Sequence, residues 1–113
     1  MCTVDKLNLV LHEFYKKAHA LYGDALKMAI LYGSYARGDN TDESDIDIMV
    51  ILDIPQDMEN ESSERIDDIV VELNLEYDVV LSPLVESYEK YEKYKTINPL
   101  FRNVEREGVR IAA

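Results

Sequence analysis

Gly33-Ser34, ten residues, then Asp45-Ile46-Asp47 is the stretch that most constrains this chain. Asp45 and Asp47 are two apart, so on a β-strand their side chains leave the same face and can converge on bound metal ions. The strand that follows, residues 48–52, is all apolar and belongs inside a sheet. A carboxylate at the mouth of such a strand costs several kcal/mol unless it is paired or coordinates a metal. The bland alternative is a solvated loop end for Asp45 and a cap or edge position for Asp47.

Gly33 follows the apolar run Met28-Ala29-Ile30-Leu31-Tyr32, which reads as a buried strand, and precedes a short Ala-Arg segment suited to starting a helix. A glycine lets backbone approach a phosphate closely, helix-start amides supply donors, and the Ser34 hydroxyl adds another. Arg37 is within reach of a phosphate oxygen. Read blandly, Gly33 only turns the chain, Ser34 caps a helix, and Arg37 pairs on the surface with Asp39, Asp42 or Glu43. On the phosphate reading, a valine at Gly33 destroys ATP binding and leaves the fold intact, and Ser34→Ala does less.

The segment GSYARGDNTDESDIDIMVIL resembles the active-site signature of the nucleotidyltransferases of the DNA polymerase beta superfamily, and its short form resembles the minimal nucleotidyltransferase domain. The likeness extends to a third carboxylate, Asp78 in Tyr77-Asp78-Val79-Val80-Leu81, and to the tail PLFRNVEREGV at 99–109. It implies an α/β (α+β) fold, a small mixed sheet flanked by helices. It also implies Asp45, Asp47 and Asp78 as catalytic metal ligands and Gly33, Ser34 and Arg37 as nucleotide-binding residues. Two Mg²⁺ ions, with Mn²⁺ as an alternative, would sit about 3.5–4 Å apart and stabilise attacking and leaving oxygens. Asp78 would complete the ion nearer the nucleophile. In isolation Asp78 also reads as an ordinary aspartate at a strand start.

Minimal domains of this kind commonly accompany a helical HEPN partner, an RNA-cleaving toxin, in prokaryotic toxin-antitoxin pairs. The resemblance therefore implies an antitoxin that transfers AMP from ATP to a tyrosine of that toxin. A free tyrosine hydroxyl has a pKa near 10, so about 0.1% is phenolate at neutral pH, and a metal beside it raises that share. Two other classes stay open. A small-molecule nucleotidyltransferase would use the same carboxylates but usually adds a domain to enclose its acceptor, and an antitoxin acting by occlusion alone would be expected to lose metal ligands.

Twelve basic against 23 acidic residues give a net charge of −11. Binding to nucleic acid draws its affinity from Lys and Arg on phosphates, so a DNA or RNA polymerase is disfavoured and a basic protein partner is favoured. At 113 residues the chain fits a single domain spanning 1–113. It shows no membrane span and no signal-peptide pattern, so a cytoplasmic location is expected. The lone cysteine, Cys2, excludes an internal disulfide and a thiolate cluster, and His12 and His19, seven apart on a helix, read as surface positions.

Apolar spacing predicts a helix over 4–22, capped by Thr3 and stopped by Gly23, with Leu7, Val10, Leu11, Phe14, Ala18 and Leu21 on one side. Strands are expected at 27–32 and 45–52 and a helix at 59–75, where Asp67 and Asp68 are solvated. A third strand would carry Asp78 and end at Pro83, and helices at 86–96 and 99–106 would close the chain. Tyr88, Tyr91 and Tyr94 form a slowly drifting stripe, either packed on the sheet or serving as a contact patch.

Overall fold

In the computed structural model, which describes residues 3–111, the first helix α1 runs Val4–Tyr22. Thr3 caps it by accepting from the Lys6 amide at 3.1 Å, and Gly23 ends it at φ 54, as the sequence leads one to expect. Strand β1 (Leu26–Tyr32) leads through Gly33 into the four-residue helix α2 (Ser34–Arg37), and β2 follows at Ile46–Leu52. Helix α3 spans Glu59–Tyr77, β3 Leu81–Ser87, α4 Tyr88–Tyr94, α5 Pro99–Glu107 and β4 Val109–Arg110.

The strands form one mixed sheet in the order β3-β2-β1-β4. β1 runs antiparallel to β2 and β4, and β2 and β3 are parallel, joined by a crossover through α3. β2 is central and buried on both faces, which is why its sequence is apolar at every position but Asp47. One face packs Ile48, Val50 and Leu52 under Val10, Phe14, Ile66 and Leu73 of α1 and α3. The other packs Ile30, Met49 and Ile51 against Tyr91, Phe101 and Val104 of α4 and α5. Each such side chain contributes about 1.5–3 kcal/mol when fully buried.

Three expectations are corrected. Asp78 does not lie on a strand. It caps the C-terminus of α3 in the left-handed region at φ 53, ψ 54, a conformation that aspartate tolerates better than most residues. Pro83 does not end β3 but lies inside it, because β3 is an edge strand and one side of its ladder is left unpaired. The helix expected from residue 86 starts at Tyr88, with Ser87 as its cap accepting from the Lys90 amide at 3.2 Å, so Glu86 and Ser87 remain in β3.

Of the tyrosine stripe, Tyr91 is fully buried against Phe101, with ring centroids 5.0 Å apart, Tyr88 is half-buried, and Tyr94 is 37% exposed. The packing alternative therefore holds for Tyr91. His12 and His19 are on the surface, as are Asp67 and Asp68. Cys2 lies outside the described residues. Among the described residues, no helix is long and apolar enough to cross a membrane.

Candidate functional site

Gly33 stands where β1 hands over to α2, at φ 76, ψ −154. That region of backbone space is open essentially to glycine alone. The turn is closed by its own bonds: Gly33 O accepts from the Ala36 and Arg37 amides, both at 3.1 Å, and Ser34 O from Gly38 at 2.9 Å. A Cβ built on Gly33 would fall against Asp47 Oδ2 and lie 3.3 Å from Asp47 Cγ. The missing side chain thus leaves space that the Asp47 carboxylate fills.

Asp47 reaches that position because β2 pairs it with Tyr32, the residue before the glycine. Burial pushes the Asp47 carboxyl above its ordinary pKa, and repulsion from Asp45 adds to the rise, with Arg37 opposing it. Asp45 lies just before β2, two residues from Asp47, and is exposed. The phenol of Tyr32 is likewise raised, first by burial and then by the charges of Asp47 and Glu86. A pair of carboxylates that repel each other, one of them half-buried, is a set of hard oxygen donors suited to a divalent cation.

The structure brings Gly33, Ser34, Arg37, Asp45 and Asp47 to one end of the β1–β2 pair. Asp78, at the end of α3, lies on the Asp45 side of the pair. It shares with Asp45 an open depression of about 210 Å³, lined also by Tyr35, Asp42, Glu43, Ser44, Ile46, Val79 and Val80, and Asp47 is not part of that lining. Among the described residues no three His, Cys, Asp or Glu side chains are grouped closely enough to hold an ion. Level with Asp47 on β3 is Ser82.

Arg37 bonds through Nε to Asp39 Oδ2 at 3.1 Å, one of the surface partners anticipated for it, and through Nη1 to Glu107 Oε2 at 3.4 Å. Reasoning from sequence missed Glu107, Tyr32 and Ser82. Glu107 could have been found from its place before a glycine at the end of an amphipathic helix, whereas Tyr32 and Ser82 become visible only through strand register.

The sequence profile of the nucleotidyltransferase domain family matches residues 11–109, nearly the whole chain. The chain belongs to that family. Relatives of this nucleotidyltransferase in Methanocaldococcus jannaschii include the "putative protein adenylyltransferase" MJ0604, 42% identical over 85% of this chain and 88% of the relative. A second protein of the same description, MJ0141, is 34% identical over 90% of this chain and 95% of its own length. A third, MJ1305, is 41% identical over 83% of this chain and 63% of its own.

Among solved structures, one described as a toxin-antitoxin with AMP-PNP superposes with a TM-score of 0.54 at 18% identity, over 90% of this chain and 73% of that one. A mutant of the toxin-antitoxin MntA-HpeT superposes with a TM-score of 0.50 at 19% identity, over 88% and 69%. At that identity the likeness establishes the fold, which agrees with the mixed sheet and flanking helices expected from sequence.

Proposed function

We propose that this nucleotidyltransferase transfers AMP from ATP to a tyrosine hydroxyl of a HEPN-type RNA-cleaving toxin, with Mg²⁺, and so acts as an antitoxin in the cytoplasm. The single observation that carries the reading is the close approach of Asp47 to Gly33, with Asp45 two residues away. It sets the Asp47 carboxylate directly against a backbone turn that carries no side chain of its own. Support comes also from relatives described as protein adenylyltransferases, from a toxin-antitoxin of the same fold crystallised with AMP-PNP, and from the net charge of −11, which suits a basic protein partner.

Asp45 and Asp47 would hold the metal, and the donor set fits it: two oxygen ligands from protein, leaving the rest of an octahedron to water and phosphate. When bound, the cation supplies charge neutralisation at the transferring phosphoryl group. The chain's own residues do the positioning. The Gly33 turn receives the phosphates, the Ser34 hydroxyl lies at its start, and Arg37 brings a fixed positive charge to the same end of the sheet. A bond forms between the tyrosine oxygen and the α-phosphorus, the bond to the bridging oxygen breaks, pyrophosphate leaves with the electron pair, and the phenol proton passes to water. Asp78 lines the open acidic depression beside Asp45, where an acceptor side chain can enter, and contributes less than the pair.

The position of Asp78 favours one rival, an antitoxin that neutralises its toxin by occlusion. Intact-mass measurement decides between them. The full chain incubated with Mg²⁺, ATP and its HEPN-type partner should add one adenylyl group to a partner tyrosine, and Asp47→Asn should add none. Neutralisation by both proteins without any mass gain would favour occlusion.

A further inference from the structure

The ion pair between Arg37 and Glu107 joins residues 70 apart in sequence. β4 pairs with β1 as Leu31 with Val109 and Ile30 with Arg110, and Glu107, the last residue of α5, stands two residues before Val109, with its carboxylate 3.4 Å from Arg37 Nη1. Gly108 makes that placement possible. Its amide donates to Val104 O at 2.8 Å, and a Cβ on it would overlap both Val104 O and the Ile30 side chain. Only glycine lets α5 end tightly enough against β1 to deliver Glu107 beside the turn.

Arg37 needs such a partner. Its other carboxylate, Asp39, is two residues away on an exposed loop, with 61% of its side-chain surface accessible against 31% for Glu107. Asp39 and Glu107 together engage Nε and Nη1, leaving other N–H groups of the guanidinium for a ligand. The guanidinium is close enough to Asp47 for its charge to favour the ionised carboxylate.

We propose that Glu107 is a positioning residue that holds the Arg37 guanidinium at the Gly33 turn, where its remaining N–H groups bind the triphosphate of ATP and neutralise the departing pyrophosphate. This rests on the reading of that turn as the nucleotide site. A pair with no such role is a surface ion pair, worth about 0–1 kcal/mol to stability and nothing to ligand binding.

The test is a double-mutant cycle on the full chain, with the affinity for ATP and Mg²⁺ measured by calorimetry and thermal unfolding followed in parallel. Glu107→Gln should weaken ATP binding about tenfold, a change of about 1.4 kcal/mol, with little change in unfolding temperature. In an Arg37→Gln background the same substitution should have no further effect on affinity. The swap of Arg37→Glu with Glu107→Arg should restore the pair but not ATP binding, and ATP affinity returning to that of wild type would overturn the proposal. Equal effects of Glu107→Gln with and without Arg37 would overturn the proposal. The Arg37 Nε–H resonance in ¹⁵N spectra gives a readout free of nucleotide: it should shift in Glu107→Gln, and an unmoved signal would overturn the positioning role by itself. A wild-type chain that does not bind ATP, with that resonance shifting as expected, would instead overturn the reading of the turn as the nucleotide site.

Discussion

Gly33 and Asp47 share one volume: the carboxylate oxygen of Asp47 occupies the space that a Cβ on residue 33 would require. The turn and the carboxylate are therefore mechanically coupled, so any side chain at position 33 displaces the carboxylate and, on the proposed function, crowds the nucleotide as well.

It follows that a valine at Gly33 does not leave the fold intact as expected from sequence, and that even Gly33→Ala is not fold-neutral. The backbone at φ 76, ψ −154 disfavours any L-residue, so the substitution should cost about 1–3 kcal/mol in denaturant unfolding. It should also lower affinity for ATP and for Mg²⁺ together. By contrast, Gly38→Ala, with nothing within 4 Å of an added Cβ, should show only the backbone cost of φ 82 and retain nucleotide binding.

Asp45→Asn and Asp47→Asn should each reduce nucleotidyl transfer at least about 100-fold, since cation-mediated charge stabilisation is worth several kcal/mol. The double variant should be hardly worse than either single one, because both residues serve the same ions. Steady-state transfer assays check this.

The raised pKa of Asp47 has a consequence for stability without metal. Its folded pKa exceeds the ordinary 3.8, so the folded state binds more protons between those values. Stability is then full below the ordinary value and falls as pH rises through the raised one. Glu59, raised mainly by burial and by its bond to Glu86, acts in the same direction. Metal-free wild type should therefore lose stability with rising pH through the acid range more steeply than Asp47→Asn, as urea titrations at a series of pH values would show. A steeper slope in the variant would contradict the assigned cause.

Tyr91→Ala should destabilise the chain by about 3–5 kcal/mol, as truncation of a buried aromatic does, and any effect on partner binding would follow from unfolding. The phenol, whose pKa burial and the nearby Glu105 raise to about 12, should stay protonated through alkaline titration until the core opens. Tyr94→Ala should change stability by less than about 1 kcal/mol.

Much of this architecture was legible in the residues. Thr3 and Gly23 bracket α1 because capping chemistry is local, and the apolar run of β2 marks a central strand because both its faces are covered. The Gly33 turn and the Asp45-Asp47 pair stand out through their spacing together with the likeness of the whole segment to the nucleotidyltransferase signature. Asp78 misled because Tyr77-Asp78-Val79-Val80 carries strand-forming residues, whereas α3 runs on to Tyr77 and spends the aspartate on its cap. Pro83 misled because its meaning depends on whether the strand lies at an edge. β4 was missed because two residues carry no periodicity, and the Glu107–Arg37 pair was missed because its members lie 70 residues apart.

Asp78→Asn separates this account from one with three equal carboxylates. Asparagine also tolerates the left-handed cap, so the fold should persist. Transfer should fall less than in Asp47→Asn, and an equal loss in both would restore Asp78 to the metal set.

The central claim, nucleotidyl transfer by the Asp45-Asp47 pair at the Gly33 turn, is tested most directly by the position of label in ATP. With Mg²⁺ and the partner protein present, label from the α-phosphate should enter protein while label from the γ-phosphate leaves as pyrophosphate, and Asp47→Asn should abolish both. Label entering protein from the γ-phosphate, or undiminished α-label transfer by Asp47→Asn, would contradict the account.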